Sequence, residues 1–300
     1  MFKLPIGVHI DILIDDLRSY SWKSANILLH YSNTLKDPNI KSNILENKNE
    51  ESPVTKADIE VNELIINKLK EKYKKINWGI LSEENVKVHS NIQVQNFDWL
   101  WILDPLDGTK DFIQGTDNYA MHLALNYKGK PILGVVLIPS KNELWISNGK
   151  EVWCEKKNGY KEKTKILTKK SLSEMTIVTS KNHGNQILKT LIEKINFKRV
   201  VVMGSIGCKI ASIVRGESDL YICLSLPGKS SPKDWDFAAP AAILKAAGGA
   251  ITNLDNQELI YNQPNFQHEG IIVASGRKEN HEKVCLEIKN IIQKNKLYPI

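Results

Sequence analysis

Trp101-Ile102-Leu103-Asp104-Pro105-Leu106-Asp107-Gly108-Thr109-Lys110-Asp111-Phe112 is the stretch on which the reading of this chain turns. It begins as an apolar run of the kind buried on both faces of a sheet, yet it ends on a carboxylate with a second one three positions later. In a regular strand, positions i and i+3 face opposite sides, so Asp104 and Asp107 serve one centre only if the chain turns between them. Pro105 is expected to supply that turn: its ring fixes φ and biases Asp104 towards extended backbone, while Gly108 lets the backbone approach a ligand. Two crowded carboxylates repel unless a cation lies between them, and an oxygen-only donor set favours Mg2+. Gly108, Thr109 and Lys110 are expected to open a helical turn whose free N–H groups face the same point, which makes an anion site. Metal paired with phosphate is the chemistry to which this pattern points. Taken alone, Asp107-Gly108 also reads as a plain turn dipeptide.

Other acidic segments give the pair its context. Ser82-Glu83-Glu84-Asn85 follows a short apolar run, which places Glu83 at a strand end, where ligands of α/β sheets gather. Ser52-Pro53-Val54-Thr55-Lys56-Ala57-Asp58 puts Asp58 at a helix start, and Lys233-Asp234-Trp235-Asp236-Phe237-Ala238-Ala239-Pro240 does the same for Asp236, on a helix whose alanines permit close backbone packing. Singly, Asp58 and Asp236 read as N-caps; capping and ligation are compatible.

In this order and spacing the segments resemble the Mg2+-dependent, lithium-sensitive phosphatase superfamily of inositol monophosphatase, fructose-1,6-bisphosphatase and the 3'(2'),5'-bisphosphate nucleotidases. SPVTKAD, ILSEE and DPLDGTKDF look most like the nucleotidase branch that includes the bacterial CysQ proteins. The resemblance implies a layered αβαβα sandwich, an α/β (α+β) fold, with two or three Mg2+ ions. Glu83, Asp104 and the carbonyl of Leu106 would hold one metal, and Asp104, Asp107 and Asp236 a second. Asp58, beside Thr109, would orient and deprotonate the attacking water, with Glu83 also in the catalytic set. The amides of Gly108 and Thr109 would hold the scissile phosphate, and Ser205, Lys209 and Asp236 would contact the substrate. The implied activity is hydrolysis of adenosine 3',5'-bisphosphate to AMP and phosphate, and of 3'-phosphoadenylyl sulfate, in sulfur metabolism. An inositol or sugar phosphatase with the same metal centre, and an inactive nucleotide-binding regulator, stay open as alternatives. Cys223 stands where the nucleotidase pattern often has Arg, Pro240 where it usually has Gly, and Lys229 and Lys233 lie in an unusual loop, so substrate choice is the least determined feature.

Composition narrows the partners. The 300 residues carry a net charge of +7, but among the 41 basic residues the arginines are only Arg18, Arg199, Arg215 and Arg277. Scattered lysines without clustered Arg argue against a nucleic-acid partner and suit steering of a small phosphorylated molecule. Apolar runs such as Trp99 to Leu103 and Ile132 to Ile138 are far shorter than the roughly 20 residues that span a bilayer. The amino terminus reads as a helix of the mature fold rather than a signal peptide, and Cys154, Cys208, Cys223 and Cys285 lack disulfide or zinc spacing, so a cytoplasmic setting is expected. His122 and His183 read as packing or substrate-polarity residues.

The coarse pattern is a helix over about Val8 to Asn33, a polar segment from Asp37 to Pro53 expected to be a lid or mobile loop, a helix over Asp58 to Tyr73, and then a meander of strands. From about Lys170 strands and helices alternate. Two sheets with surrounding helices follow, divided as residues 1–170, carrying most metal-binding motifs, and 171–300, completing the metal site and substrate pocket. Homo-oligomers are compatible with this pattern.

Overall fold

Apolar residues at helical spacing give α1 (Ile10–Thr34) and α2 (Lys56–Lys72), whose Leu13, Leu17, Leu28, Val61, Ile65 and Leu69 are fully buried. The structure is a computed structural model describing residues 4–36, 56–88, 93–164, 170–181 and 185–298. The whole of the expected lid segment, Asp37 to Pro53, and His183 lie outside the described residues.

Strands β1 (Gly79–Ser82), β2 (Trp99–Asp107), β3 (Ala120–Tyr127), β4 (Lys130–Ile138), β5 (Glu143–Ser147), β6 (Val152–Glu155) and β7 (Lys161–Lys163) form one sheet in chain order. β1 is parallel to β2 and every later pair is antiparallel. Between β1 and β2 lies the short helix α3 (Glu83–Val88), and after β2 comes α4 (Thr109–Gln114). The carboxyl-terminal part contributes β8 (Thr176–Ser180), α5 (Gln186–Ile195), β9 (Arg199–Met203), α6 (Ile206–Val214), β10 (Leu220–Leu224), α7 (Asp234–Ala246), β11 (Ala250–Asn253), β12 (Ile271–Ser275) and α8 (Lys278–Asn295). Its sheet has the order β11-β12-β10-β8-β9.

Strand alternation sorts the core into layers. Trp101 and Leu103 of β2, Met121, Leu123 and Leu125 of β3, and Leu133, Val135 and Leu137 of β4 pack with α1 and α2. The intervening Leu100, Ile102, Ala120, Ala124, Val136 and Ile138 face α6 and α7, which also receive Val178, Tyr221 and Ile272 from the second sheet. The opposite face of that sheet, through Ile177, Leu220, Ile222 and Val273, meets Leu188 and Leu191 of α5 and Val284 and Ile288 of α8. The sequence of layers is therefore αβαβα, as expected. Close approach of α7 to β4 uses a small residue on the strand: a Cβ at Gly134 would come within 2.7 Å of both the Ala239 carbonyl oxygen and the Ala242 Cβ. No helix among the described residues is long and apolar enough to cross a membrane.

The turn expected at Pro105 is not formed. β2 continues through Pro105 to Asp107, and its register against β3 shifts, with Asp104 opposite His122 and Asp107 opposite Ala120. Three steps on β2 thus match two on β3, a one-residue bulge. The extra residue restores parity, so Asp107 faces the α6 and α7 layer together with Asp104 without the strand ending. Proline is tolerated because the bulge frees its position from the ladder. β7 and β11 are short strands that the sequence pattern does not announce.

Candidate active site

The bulge assembles an acidic centre. Carboxylate oxygens of Asp104, Asp107 and Asp236 lie within 4.8 Å of one another. Asp104 and Asp107 are buried at 2% and 9% exposure, on the face against α6 and α7, and Asp236 arrives from the first turn of α7. Burial raises the pKa of Asp104 well above the usual carboxylate range, and the charges of Glu83, Asp107, Asp236 and Asp58 raise it further. The other four predicted acidic residues thus all act electrostatically on Asp104. Burial, followed by the charge of Asp107, pushes Asp236 up to about 8. An all-oxygen set of crowded, buried carboxylates fits a hard divalent cation, whose charge would relieve the repulsion that these shifts record.

Each residue is held by a local device. The Leu106 amide donates to Asp104 Oδ1 at 3.0 Å, and Thr109 Oγ1 donates to the Leu106 carbonyl at 3.0 Å, so the bulge is braced from both ends. Gly108, at φ 88°, turns the chain from β2 into α4; a side chain there would strain the backbone and put its Cβ 2.8 Å from the Asn118 carbonyl oxygen. Glu83 is the first residue of α3, directly after β1, whose Ser82 pairs with Leu103. Its carboxylate lies 3.0 Å from Lys87 Nζ, which also donates to Glu84 at 2.8 Å. Burial raises the pKa of Glu83 even with Lys87 opposing the shift. Asp58 is buried at 2% exposure in the first turn of α2.

Asp107 is the most constrained of the five. Its Oδ2 accepts from Ser205 Oγ at 2.7 Å, from the Gly207 amide at 3.1 Å and from the Ile206 amide, all at the start of α6. Ser205 caps that helix, its Oγ accepting from the Cys208 amide at 3.1 Å. It does so at φ 52° and ψ 130°, a conformation that costs a residue with a side chain on the order of 1–3 kcal/mol. Hydrogen bonds to a charged group, at about 1.5–3 kcal/mol each, offset that cost.

The expected substrate residues fall beside this centre. Lys209, one turn into α6, is 3% exposed; its Nζ donates to the Ser205 carbonyl at 3.1 Å and lies 5.4 Å from the centroid of the Tyr221 ring. Burial lowers its pKa while Asp107 acts the other way. Burial pushes the Cys223 thiol up to about 11. Lys233 donates through Nζ to the Asn265 carbonyl at 3.4 Å, so it faces a neighbouring loop.

Asp236 is not the N-cap that its sequence position suggests. Lys233 occupies the cap, and Asp236, in the third helical position, reaches back so that its Oδ2 accepts from the Lys233 amide at 2.6 Å. An acceptor at that position serves the free amides of the first turn as well as a cap would. Pro240, four residues on, has no N–H to offer the Asp236 carbonyl. Two residues escape the sequence reading. Lys87 is a surface helix lysine by pattern, yet it holds Glu83. His122 reads as packing, yet its Nε2 lies 3.2 Å from Asp107 Oδ2; burial lowers its pKa although Asp107 opposes this. Strand parity relative to Asp104 was the signal available for it.

A five-layered αβαβα sandwich with carboxylates brought together from β2 and α7 beside Glu83 of α3 is the architecture of a metal-dependent phosphatase, and the chain belongs to the inositol monophosphatase family, whose model matches residues 16–293. Among curated relatives it is 31% identical over 215 residues, 71% of this chain and 76% of the relative, to the 3'(2'),5'-bisphosphate nucleotidase CysQ of Buchnera aphidicola subsp. Acyrthosiphon pisum. It is 29% identical to the CysQ of Escherichia coli (strain K12), covering 76% of this chain and 87% of that one. Among solved structures it resembles the extragenic suppressor protein suhB from Bartonella henselae, with a TM-score of 0.69 and 19% identity over 94% of this chain and 99% of that one, a likeness of fold.

Proposed function

We propose that this phosphatase hydrolyses the 3'-phosphate ester of adenosine 3',5'-bisphosphate, yielding AMP and inorganic phosphate, and that it accepts 3'-phosphoadenylyl sulfate as a second substrate in cytoplasmic sulfur metabolism. The observation that carries the reading is the cluster of Asp104, Asp107 and Asp236, whose carboxylate oxygens lie within 4.8 Å of one another, in a chain about 30% identical to CysQ nucleotidases. Glu83, Asp104, Asp107, Asp236 and the Leu106 carbonyl are the groups that would hold Mg2+, as two or three ions. When bound, such ions activate water near neutral pH and neutralise charge on the leaving oxygen.

The chain's own groups supply the rest. Asp58 and Thr109 orient the attacking water, with Asp58 accepting its proton and Glu83 completing the catalytic set. The amides of Gly108 and Thr109 hold the scissile phosphate at the start of the turn that follows β2. Ser205, Lys209 and Asp236 border the rest of the substrate, and Lys209 provides positive charge for the second phosphate. The division into residues 1–170 and 171–300 follows: the first half brings Glu83, Asp104 and Asp107, and the second brings Asp236 and the recognition residues.

Phosphate release from adenosine 3',5'-bisphosphate, inositol 1-phosphate and fructose 1,6-bisphosphate, each with Mg2+ or with chelator, tests the proposal. The expected result is chelator-sensitive turnover at least tenfold faster on the nucleotide. Turnover of inositol phosphate at an equal rate would replace the reading with an inositol phosphatase, and tight nucleotide binding without turnover would replace it with a regulator.

A further inference from the structure

His122 interrupts the apolar face that β3 and β4 present to α6 and α7, and it is completely buried, at 0% exposure. Three relations meet on it. Its backbone pairs with Asp104 across the β2–β3 ladder. Its Nε2 lies 3.2 Å from Asp107 Oδ2, but without the alignment of a hydrogen bond. Its Nδ1 is 3.3 Å from the carbonyl oxygen of Trp235, the residue immediately before Asp236. One side chain therefore touches or adjoins all three chain positions that supply the carboxylate cluster, and it does so across the boundary between the sheet and α7.

The chemistry of the two ring contacts assigns their roles. A backbone carbonyl only accepts, so the aligned contact to Trp235 places the proton of a neutral imidazole on Nδ1. Nε2 then carries no proton towards Asp107, whose charge is left for a cation. A hard divalent ion tolerates little error in its ligands, and Mg2+ demands near-octahedral geometry at 2.0–2.1 Å. The first turn of α7 has to be fixed against β2 to a fraction of an ångström, and at the Trp235 carbonyl a side chain of the first sheet reaches that turn.

We propose that His122 is a positioning residue of the metal centre: its Nδ1–H bond to the Trp235 carbonyl holds Asp236 at the spacing from Asp104 and Asp107 that a shared cation requires. The proposal rests on the reading of those three aspartates as metal ligands. Asn at this position offers an amide nitrogen as many bonds from Cα as Nδ1, and Gln offers one as many bonds out as Nε2. His122→Asn therefore keeps the bond to Trp235, whereas His122→Gln and His122→Leu lose it.

The test is Mn2+ titration of the full-length, chelator-stripped protein, followed by electron paramagnetic resonance, with thermal unfolding in chelator alongside and Asp104→Asn as the reference. His122→Asn is expected to bind Mn2+ within about threefold of the parent, and His122→Gln and His122→Leu to bind about 10–100-fold more weakly, the range for groups that orient metal ligands. Should His122→Leu fail to fold, the Asn and Gln variants still decide. Equal affinity of Asn and Gln variants would overturn the proposal, as would lowered thermal stability in all three variants with Mn2+ affinity unchanged. If Asp104→Asn itself bound Mn2+ like the parent, the ligand reading would fail first and take the His122 proposal with it.

Discussion

Gly207→Ala is the substitution whose consequence the structure determines most closely. A Cβ at Gly207 would come within 2.2 Å of His122 Nε2, 2.9 Å of His122 Cδ2 and 2.9 Å of Val136 Cγ1. The ring is enclosed and held at Nδ1 by Trp235, so the start of α6 has to withdraw by about 1 Å to restore ordinary contact distances. Overpacking of this kind costs about 1–3 kcal/mol, against which the better helix propensity of alanine returns at most about 1 kcal/mol. A net loss of about 1–2 kcal/mol lowers Tm by roughly 2–8 °C for a protein of this size. The catalytic effect is larger, because the Ile206 and Gly207 amides that grip Asp107 Oδ2 move with the helix; a 1 Å displacement of a ligand's support can cost about 100-fold in turnover. The assay is thermal unfolding together with kcat/KM, for Gly207→Ala alone and combined with His122→Asn, which removes the nearest clashing atom, Nε2, and puts an amide oxygen in the place of Cδ2. The combination is expected to recover much of the stability, because neighbours sharing one contact are not additive. Parent-like stability and turnover of Gly207→Ala, or an identical loss in both backgrounds, would refute the reasoning.

The carboxylate shifts set a pH dependence. Asp104 and Asp236 have folded-state pKa values above their unfolded ones, Asp236 at about 8. Their stabilising contribution to the metal-free protein is present below the ordinary aspartate pKa and is lost as pH rises towards 8. Thermal unfolding in chelator should therefore show Tm falling between about pH 5.5 and 8.5, with the gain from added Mg2+ growing over the same interval, since cation binding replaces protons; a chelated protein that gained stability on approaching pH 8 would contradict this. Asp104→Asn should remove turnover at every Mg2+ concentration tested, whereas Lys209→Ala should act mainly on KM for the nucleotide, by about 10–100-fold for one lost charged contact. Comparable losses of kcat in the two variants, measured by steady-state phosphate release, would erase the distinction between chemistry and recognition.

Period-two alternation in the strands and helical stripes at the chain start make two sheets with surrounding helices visible without coordinates, whereas their order as five layers is implied only by the family resemblance. That Asp104 and Asp107 share a centre is equally legible, because both are carboxylates beside Gly108 with Glu83 and Asp236 in matching contexts. The means of sharing is not. A turn at Pro105 and a one-residue bulge leave the same local sequence, and only the pairing of β2 with His122 and Ala120 distinguishes them. Asp236 shows the same limit: aspartate is a good cap, so its reach back to the Lys233 amide from the third helical position is invisible to a propensity argument. The roles of His122 and Lys87 were missed because their partners are distant along the chain or set by helix phase. A histidine in an apolar strand gives no sign that a helix carbonyl more than a hundred positions later meets its ring.

Anomalous diffraction from crystals grown with Mn2+, AMP and phosphate tests the account at its centre. It predicts strong manganese peaks within coordination distance of the Asp104, Asp107 and Asp236 carboxylates, with phosphate beside them at the Gly108–Thr109 end and the nucleotide on the Ser205 and Lys209 side. Manganese bound elsewhere, or nucleotide bound with the three carboxylates left without metal at saturating Mn2+, would contradict it.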